Sequence, residues 1–335
     1  MTTIKDVGRR AQVSIASVSK VLNGDYSSVS EETKERILAA AKELKYRPNR
    51  FAQGLVKNQT TIIGLIIPDI SNPYFAELAK GVEAEAEKNG FNLILCNSGD
   101  SKSKILRNIQ MMTEYNANGI ILHGSKGNEA KGLELLLETE VPFVAIDCTF
   151  SDDIAPVSFY SNNKLGAIMG TEQLIISGHK KIAFIGGDTG VGKDHPRFVG
   201  YKVALMSNNI TYDENMVRHG TYTIATGYEK TKELLNQGKD FTAVVCANDL
   251  IAFGVIKAVR ECGMDVPRDI SLVGYDDIIL SSMFEPMLTT IKQDSMELGK
   301  EAFKELHRVF SGERNEKIIR SFEPELILRD SIRVI

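Results

Sequence analysis

Apolar residues in the first 25 positions recur at the spacing of two short helices, which are separated by a break at residues 12–14. The positions that would face inward are Ile4, Val7 and Ala11 in the first helix and Val18, Val21 and Leu22 in the second. Ser14 would cap the second helix, because its hydroxyl can accept from an unpaired backbone N–H. The spacing is typical of a helix-turn-helix, which places its second helix in the major groove of DNA. An ordinary helical hairpin with a solvated outer face has the same spacing.

A third helix is predicted to begin after Ser30. Glu31 and Glu32 would follow this cap at the positive end of the helix dipole. The inward stripe would consist of Ile37, Leu38, Ala41 and Leu44. The segment ends at Tyr46-Arg47-Pro48, because the residue before a proline is biased out of the helical region. Three helices predict a small all-α domain over residues 1–46.

The pattern changes at Thr60 to β-branched apolar runs that alternate with helical stretches such as residues 74–89. The runs are TIIGLIIPD, FNLILCN, GIILHG, PFVAID, KIAFIGG, TAVVCAN, ISLVGYDD and LTTIK. Such alternation predicts parallel sheets covered on both faces by helices. It breaks near residues 150–163, which predicts two doubly wound lobes of the α/β class.

The charge is distributed unevenly along the chain. Residues 1–60 hold 11 Lys and Arg against 6 Asp and Glu, a net charge of +5, whereas the other 275 residues hold 29 against 38, a net charge of −9. A basic front end on an acidic body suits a nucleic-acid contact made by the front end, because phosphate neutralisation requires local positive charge.

The cysteines and the hydropathy favour a soluble protein in a reducing compartment. Three of the four cysteines, Cys96, Cys148 and Cys246, end apolar runs and are interpreted as small buried residues, while Cys262 lies apart. Neither a CxxC pair nor a histidine at metal-ligand spacing accompanies them, so no metal and no cofactor are expected. Neither a signal sequence nor an apolar run of membrane-spanning length is evident. We therefore expect a cytoplasmic, nucleoid-associated protein without membrane contact.

The N-terminal residues carry a specific resemblance. The runs TIKDV, AQVS and SIASVSKVLN resemble the headpiece of the LacI/GalR family of bacterial transcription regulators, and residues 60–329 resemble the periplasmic sugar-binding-protein fold. The resemblance implies that the chain crosses between lobes near residues 292–294 and again near 322–324. It implies a DNA-binding headpiece at 1–46, a hinge at 47–59 and an effector-binding and dimerisation core at 60–335, with lobe 1 at about 60–160 and 293–323 and lobe 2 at about 161–292 and 324–335.

The resemblance also assigns candidate DNA contacts. Ile15 and Ala16 would contact base edges, since the outward residues of a recognition helix read the major groove. Lys20 would donate either to a guanine or to a phosphate. The residues that would position the DNA backbone are Thr3, Ser14, Ser19 and Asn23, with Asn49 and Arg50 as further contacts in the hinge. Leu55 matches the leucine that family members insert into the minor groove, where an apolar wedge bends the duplex. Gly54 departs from the family pattern and would make the hinge helix harder to form.

Two headpiece positions also depart from the family pattern. Gly8 stands where an alanine would favour the helix, and Gln12 stands at a turn position often held by glycine. Both are expected to weaken the isolated headpiece.

Polar residues at the predicted strand ends indicate a ligand site in the core, because ligands of open α/β sheets bind outside the carboxyl ends of the strands. Each residue taken alone could merely cap the next helix. The resemblance assigns effector contacts to Asn72, Tyr74, Phe75, Asp147, Arg197, Tyr222, Asn248, Asp276 and Gln293. Cys148 stands where ribose-type binders have a second arginine, so we expect a small sugar or sugar phosphate other than ribose.

Two alternatives compete with this reading. Gly187-Asp-Thr-Gly-Val-Gly-Lys193 fits the start of a phosphate-binding loop, but Asp194 replaces the required Ser or Thr and Pro196 interrupts the following helix.

Asp147 and Asp276 could instead act as the acid and base of a glycosidase. No histidine motif supports catalysis, and a non-enzyme is expected.

The function expected from the resemblance is that of a homodimeric repressor of carbohydrate-utilisation genes. It would bind a palindromic operator and respond allosterically to its effector, and a phosphocarrier protein could act as a co-regulator. A sugar receptor without DNA regulation is the runner-up.

Overall fold

The computed structural model describes residues 2–46, 60–99, 101–124, 130–148, 155–187, 195–238, 240–313 and 316–335. The chain divides into two compact units, residues 1–60 and 61–335. The hinge, with Asn49, Arg50 and Leu55, lies outside the described residues, as does the part of the phosphate-loop-like run that follows Gly187.

The headpiece, residues 2–46, is a three-helix domain, as predicted. Its helices are α1 (Ile4–Ala11), α2 (Ile15–Leu22) and α3 (Glu31–Glu43). Thr3, Ser14 and Ser30 each cap one helix by accepting a hydrogen bond from the backbone N–H three residues ahead. The three helices enclose Val7, Ala11, Val18, Val21, Ile37, Ala40 and Ala41. The three caps lie close in the sequence to the N–H groups that they bind, so the helices around this small core are specified largely by local sequence.

The two unusual headpiece positions differ in their physical role. Gln12 ends α1 at φ 52°, in the left-handed region, which costs a non-glycine residue about 1–2 kcal/mol. At Gly8, an added Cβ would lie 3.1 Å from the carbonyl oxygen of Val13. Gly8 therefore lets the turn pack closely against α1, a role that its low helix propensity does not predict.

The second unit alternates strands and helices along its length. Its first part consists of β1 (Ile62–Ile67), α4 (Pro73–Lys88), β2 (Asn92–Asn97), α5 (Lys102–Glu114), β3 (Gly119–His123), α6 (Ala130–Thr139), β4 (Phe143–Ile146) and β5 (Val157–Ser161). Its second part consists of α7 (Asn163–Ile176), β6 (Ile182–Gly187), α8 (Pro196–Ser207), β7 (Val217–Gly220), α9 (Ile224–Asn236), β8 (Ala243–Cys246), α10 (Asp249–Glu261), β9 (Ser271–Asp276) and β10 (Thr290–Lys292). The last part consists of α11 (Ser295–Phe310), β11 (Ile318–Phe322) and β12 (Glu325–Ile327).

These strands form two six-stranded sheets, one in each lobe, which confirms the predicted fold class. Lobe 1 has the order β11-β5-β4-β3-β1-β2 and is wholly parallel. Lobe 2 has the order β12-β10-β9-β8-β6-β7, and only β12 is antiparallel to its neighbour. In both lobes the first strand lies between the second and the third, so a topological switch point lies beside β1 and beside β6.

The chain passes between the lobes three times. It leaves lobe 1 after β5 and returns after β10, so that α11 packs on lobe 1 through Leu298, Phe303 and Leu306. It then pairs β11 with β5 and crosses back to pair β12 with β10. The second and third crossings fall between Lys292 and Ser295 and between Phe322 and Glu325.

The apolar runs named above omit four strands, although the run ELILRD near the end of the chain, which contains β12, is also strand-like in sequence. β5 lies inside the interval where the alternation was predicted to break, so the break comes after this strand. β7, β11 and β12 are short strands at sheet edges and carry many exposed or half-buried residues. An edge strand needs no continuous apolar run, because only part of its surface is buried.

Glycines allow close helix contacts in both lobes. In lobe 1, a Cβ added at Gly299 of α11 would lie 2.2 Å from the carbonyl oxygen of Leu78 in α4. In lobe 2, a Cβ added at Gly254 of α10 would lie 2.1 Å from the carbonyl oxygen of Ile224 in α9. The backbones of each helix pair are in contact, so no side chain fits between them.

None of the helices among the described residues is both long enough and apolar enough to span a bilayer.

Candidate functional site: a cleft between the lobes and the outer face of the second helix

A cavity of about 660 Å³ lies at the carboxyl ends of strands from both lobes. The assigned effector contacts that line it are Asn72, Tyr74, Phe75, Asp147, Arg197, Tyr222, Asn248 and Asp276. The first three follow β1 and Asp147 follows β4, whereas the other four belong to lobe 2. The cavity therefore brings together residues from the carboxyl ends of strands in both lobes, including β1 and β6, which lie beside the switch points.

Arg197 and Asp276 form the polar centre of the lobe 2 wall. Arg197 donates from Nε to Asn163 at 2.7 Å and from Nη1 to the carbonyl of Ala247, and its Nη1 lies 3.3 Å from Asp276 Oδ1. Its guanidinium also lies over the ring of Tyr275 at 3.8 Å. Burial raises the pKa of Asp276 to about 6, against the opposing effect of Arg197. The pair presents one fixed carboxylate and the remaining guanidinium N–H groups to the cavity.

The backbone around Asp276 is strained. Asp276 has φ 109° and Asp277 has φ 53°, both in a region that non-glycine residues rarely adopt. Asp277 is held by Arg329, whose Nη2 lies 2.6 Å from its Oδ1. This turn aims Asp276 into the cavity, and strained backbone is typical of ligand sites.

Gln293 is the one assigned contact that does not line the cavity. Its Nε2 donates to Asp276 Oδ1 at 2.8 Å, so it supports the carboxylate from behind. Asp249 follows β8, is fully buried and does not line the cavity. It accepts hydrogen bonds from the backbone N–H of Ile278 and from the hydroxyls of Ser281 and Thr290.

Asp147 provides a second carboxylate on the lobe 1 wall. It adopts φ 46°, and its Oδ1 accepts from the backbone N–H of Ser161 at 2.8 Å. Its Oδ2 lies 3.8 Å from Nε2 of His123. Cys148 follows as a buried thiol that also lines the cavity. Two carboxylates from opposite lobes thus face one cavity.

Aromatic rings supply the apolar part of the lining. Tyr74 and Phe75 pack edge to face at 5.1 Å, and Phe75 packs on His123 at 5.0 Å. Burial, with Asp147 and Asp276 nearby, raises the pKa of Tyr74 well above its usual range, so this phenol stays protonated. Tyr222 lies across the cavity from them in lobe 2, with its hydroxyl 3.1 Å from Nε2 of His195. Flat rings beside polar acceptors suit a polyhydroxylated ligand with C–H faces.

Equivalent loops of the two lobes supply matching lining residues. Asn72 caps α4 immediately before Pro73, and His195 caps α8 immediately before Pro196. Burial, and then Arg197, lowers the pKa of His195 to about 3, so this imidazole is neutral near pH 7. Asn248 similarly caps α10 by accepting from the N–H of Ile251. The capping and ligand-contact interpretations of these residues are therefore compatible.

Several lining residues were missed by the sequence analysis: His123, Tyr160, Ser161, Asn163 and His195. Tyr160 and Ser161 lie on β5, a strand that the apolar-run criterion missed. His195 could have been found as the lobe 2 counterpart of Asn72, because each stands before a proline that opens the helix after the first strand of its lobe.

The outer face of α2 is the candidate DNA-contacting surface of the headpiece. Ala16, Lys20 and Asn23 are exposed, Ile15 is 45% exposed and Ser19 is half-buried. Lys20 Nζ donates to Ser28 Oγ at 2.8 Å, which directs its ammonium along the surface. Thr3 and Ser14 are exposed at the starts of α1 and α2, where their hydroxyls serve as caps.

Among the described residues, His, Cys, Asp and Glu form no group of three that could hold a metal ion.

Comparison with known proteins gives a consistent result along the chain. Residues 3–49 match the model of bacterial regulatory proteins of the lacI family, and residues 171–332 match a periplasmic binding protein-like domain. The chain is 37% identical to the HTH-type transcriptional regulator RegA of Clostridium saccharobutylicum, over 98% of this chain and 99% of that protein. It is 34% identical to the ribose operon repressor of Haemophilus influenzae, over 99% of each. The crystal structure of the lac repressor dimer bound to operator and the anti-inducer ONPF superimposes with a TM-score of 0.84 at 29% identity, covering 99% of both chains.

Proposed function

The chain belongs to the LacI family of bacterial regulatory proteins and is a DNA-binding transcriptional repressor, and we propose that a small carbohydrate bound between Asp147 and Asp276 controls its affinity for operator DNA. The observation that carries the proposal is the pair of carboxylates from opposite lobes, set among amides and aromatic rings. Neighbouring hydroxyls of a sugar can donate to both carboxylates, and its C–H faces can pack on Tyr74, Phe75 or Tyr222.

The proposed control acts through the arrangement of the two lobes. A ligand that contacts both walls binds a closed arrangement better than an open one, and it shifts the population by that difference in affinity. Closure would move lobe 1 relative to lobe 2 and thereby change the dimer contact. The sign of the effect, release of DNA or tighter binding, is a measurable property of the effector.

We infer that the repressor acts as a homodimer on a palindromic operator, with one recognition helix in each half-site. A loop of lobe 2 exposes Ile279 (60%), Met283 (69%) and Phe284 (56%), an apolar surface suited to a second copy. The lac repressor, which this chain resembles over its full length, is a dimer on its operator. Sedimentation analysis of the full chain, with Phe284→Glu as the dissociating variant, tests this point.

In the proposed complex, Ile15, Ala16 and Lys20 contact bases, and Thr3, Ser14, Ser19 and Asn23 contact the DNA backbone. Asn49, Arg50 and Leu55 are proposed as hinge contacts. If Lys20 reads a guanine, Lys20→Ala should cost about 1–3 kcal/mol of discrimination between operator and random DNA. An equal loss on both DNAs would show that Lys20 contacts a phosphate.

The effector site is tested by Arg197→Ala and Asp276→Ala. Both variants should bind operator and lose the response to effector, because the changed side chains lie in the cavity of the core and not in the headpiece. A thermal-shift screen with neutral and phosphorylated sugars identifies the ligand, since a ligand that binds only the folded state raises the melting temperature. A folded variant that lost operator binding and effector response together would contradict the proposal.

Repression of carbohydrate-utilisation genes from the nucleoid follows from this effector class and stays a prediction. The phosphocarrier co-regulator expected from the family also stays a prediction, which operator titrations with and without the phosphorylated carrier test directly.

Catalysis by Asp147 and Asp276 is the alternative use of the same cavity. The relatives matched along the full chain are transcription regulators, which favours binding over turnover. Hydrolysis of a glycoside that disappears in Asp147→Ala would favour the enzyme.

A further inference from the structure

The charged groups of the effector cavity are mostly acidic. Among the described lining residues, Asp69, Asp147 and Asp276 carry carboxyl groups, and the single Lys or Arg side chain is Arg197. The cavity is therefore acidic even before a ligand enters.

The guanidinium of Arg197 is already paired within the protein and therefore attracts an anion only weakly. It already lies 3.3 Å from Asp276, donates to Asn163 and Ala247, and is only 12% exposed. A phosphate near Arg197 would compete with a carboxylate that the protein holds in place through Gln293. The ion pair leaves a polar group suited to hydroxyls, whose dipoles do not require a free cation.

Two helix N-termini could also attract an anion, but each is capped by a side chain. The N-termini of α4 and α8 face the cavity, but Asn72 accepts from the N–H of Tyr74 and His195 accepts from that of Arg197. The same imidazole has a pKa lowered to about 3 by burial and then by Arg197, so it carries no charge near pH 7. A helix N-terminus binds anions through N–H groups that are still free.

We propose that the effector is an uncharged polyhydroxylated molecule, and that Asp147 excludes the phosphorylated form of the same sugar. This inference rests on the proposed function and narrows it. Asp147 accepts one ligand hydroxyl and, as a carboxylate fixed by the N–H of Ser161, repels a phosphate in the same cavity. Selection by charge separates a free sugar from its phosphate even when their rings are identical.

The test uses matched pairs of ligands on the full chain. Calorimetric titrations compare neutral pentoses, hexoses and disaccharides with the phosphates of the same sugars, and operator release is measured in parallel. The neutral member of the binding pair should bind at least tenfold more tightly than its phosphate.

Asp147→Asn should narrow this ratio at least threefold, because it keeps the side-chain shape and one acceptor oxygen while removing the charge. Asp240→Asn is the control, since it removes the same charge at a site 77% exposed and outside the cavity lining. The control should leave the ratio unchanged.

Three outcomes distinguish a failure of this inference from a failure of the proposed function. A sugar phosphate that binds as tightly as its parent sugar and controls operator binding would overturn this inference and leave the proposed function standing. An unchanged ratio in Asp147→Asn would overturn the role of Asp147. Binding of a nucleobase, with no response to any sugar, would overturn the inference and the carbohydrate effector together.

Discussion

The headpiece and the core differ in where their stabilising contacts come from in the sequence. In the headpiece, each helix is capped by a hydroxyl three residues from its partner, and the buried side chains are Val, Ala and Ile. In the core, Asp276 is held by Gln293 and Arg197, and fully buried rings such as Phe159, Phe184 and Tyr201 fill the interior. A small domain built from local contacts buries little apolar surface and is easily unfolded. The core buries much more apolar surface, so it can lose more stability before it unfolds.

The largest effect should come from breaking a close backbone contact in the core. Gly299→Ala would place a methyl group 2.2 Å from the carbonyl oxygen of Leu78, which forces α11 away from α4. We expect a loss of about 3 kcal/mol in the free energy of unfolding of the core. Gly312→Ala, just beyond the same helix, meets nothing within 4 Å and has only a left-handed φ of 71°, so it should cost about 1 kcal/mol. Equal urea midpoints for the two variants would refute the close-contact explanation.

The next effect depends on pH and belongs to the core alone. Burial, and then Asp276, raises the pKa of Asp249 to about 7, so the folded state holds this proton more tightly than the unfolded state does. The stability that the bound proton provides is lost as pH rises through 7. Asp249→Asn does not titrate at this position and should gain roughly 2 kcal/mol relative to the native chain between pH 5 and pH 8. Parallel unfolding curves at the two pH values measure the gain, and a constant difference would contradict the raised pKa.

The same type of substitution in both regions compares directly how much stability each region can lose before it unfolds. Val18→Ala in the headpiece and Val245→Ala in the core each remove two methyl groups from a buried site, which costs about 1.5 kcal/mol. In the headpiece this loss should increase amide exchange throughout α1 to α3 and weaken operator binding. In the core it should lower the melting temperature by only a few degrees and leave the fold intact. Full amide protection of the Val18→Ala headpiece without DNA would show that the headpiece is not marginal.

The smallest effects should come from ion pairs. Arg10 bridges to Glu43 of α3 at 2.9 Å, with both side chains more than half exposed, so Arg10→Met should cost under about 0.5 kcal/mol. Arg329 and Asp277 are each 15% exposed, so Arg329→Met should cost about 1 kcal/mol and weaken effector binding through the neighbouring Asp276. Chemical denaturation measures the loss of stability in both variants, and effector titration measures the loss of affinity in Arg329→Met. Equal costs for the two variants would show that burial does not distinguish them.

The difference between local contacts in the headpiece and long-range contacts in the core also explains which features could be predicted from the sequence. The headpiece helices, their caps and the outer face of α2 follow from spacings of three and four residues, so periodicity alone finds them. Asp147 and Asp276 were found because carboxylates at the ends of parallel strands meet at one edge of a sheet. The close approach of Gly8 to Val13 could not be predicted, because it depends on how the turn folds back.

The remainder of the cleft depends on contacts between segments far apart in the chain. Gln293 lies behind Asp276 because β10 pairs with β9, a register that no local pattern specifies. Asn163 meets Arg197 across 34 positions of sequence, and its polar character alone does not distinguish it from other helix-start residues. The family resemblance supplied Arg197 and Tyr222, which spacing would not have selected.

The late crossings of the chain also bear on how the protein is made. Residues 318–322 complete the sheet of lobe 1, and residues 325–327 complete that of lobe 2, although each sheet begins far earlier in the chain. During translation the headpiece leaves the ribosome with all its contacts available, whereas both lobes wait with an open sheet edge until the same ten residues emerge. An open edge is a template for pairing with other chains. Ribosomes that stall shortly before residue 318 should therefore yield nascent chains that are exposed to aggregation in both lobes at once.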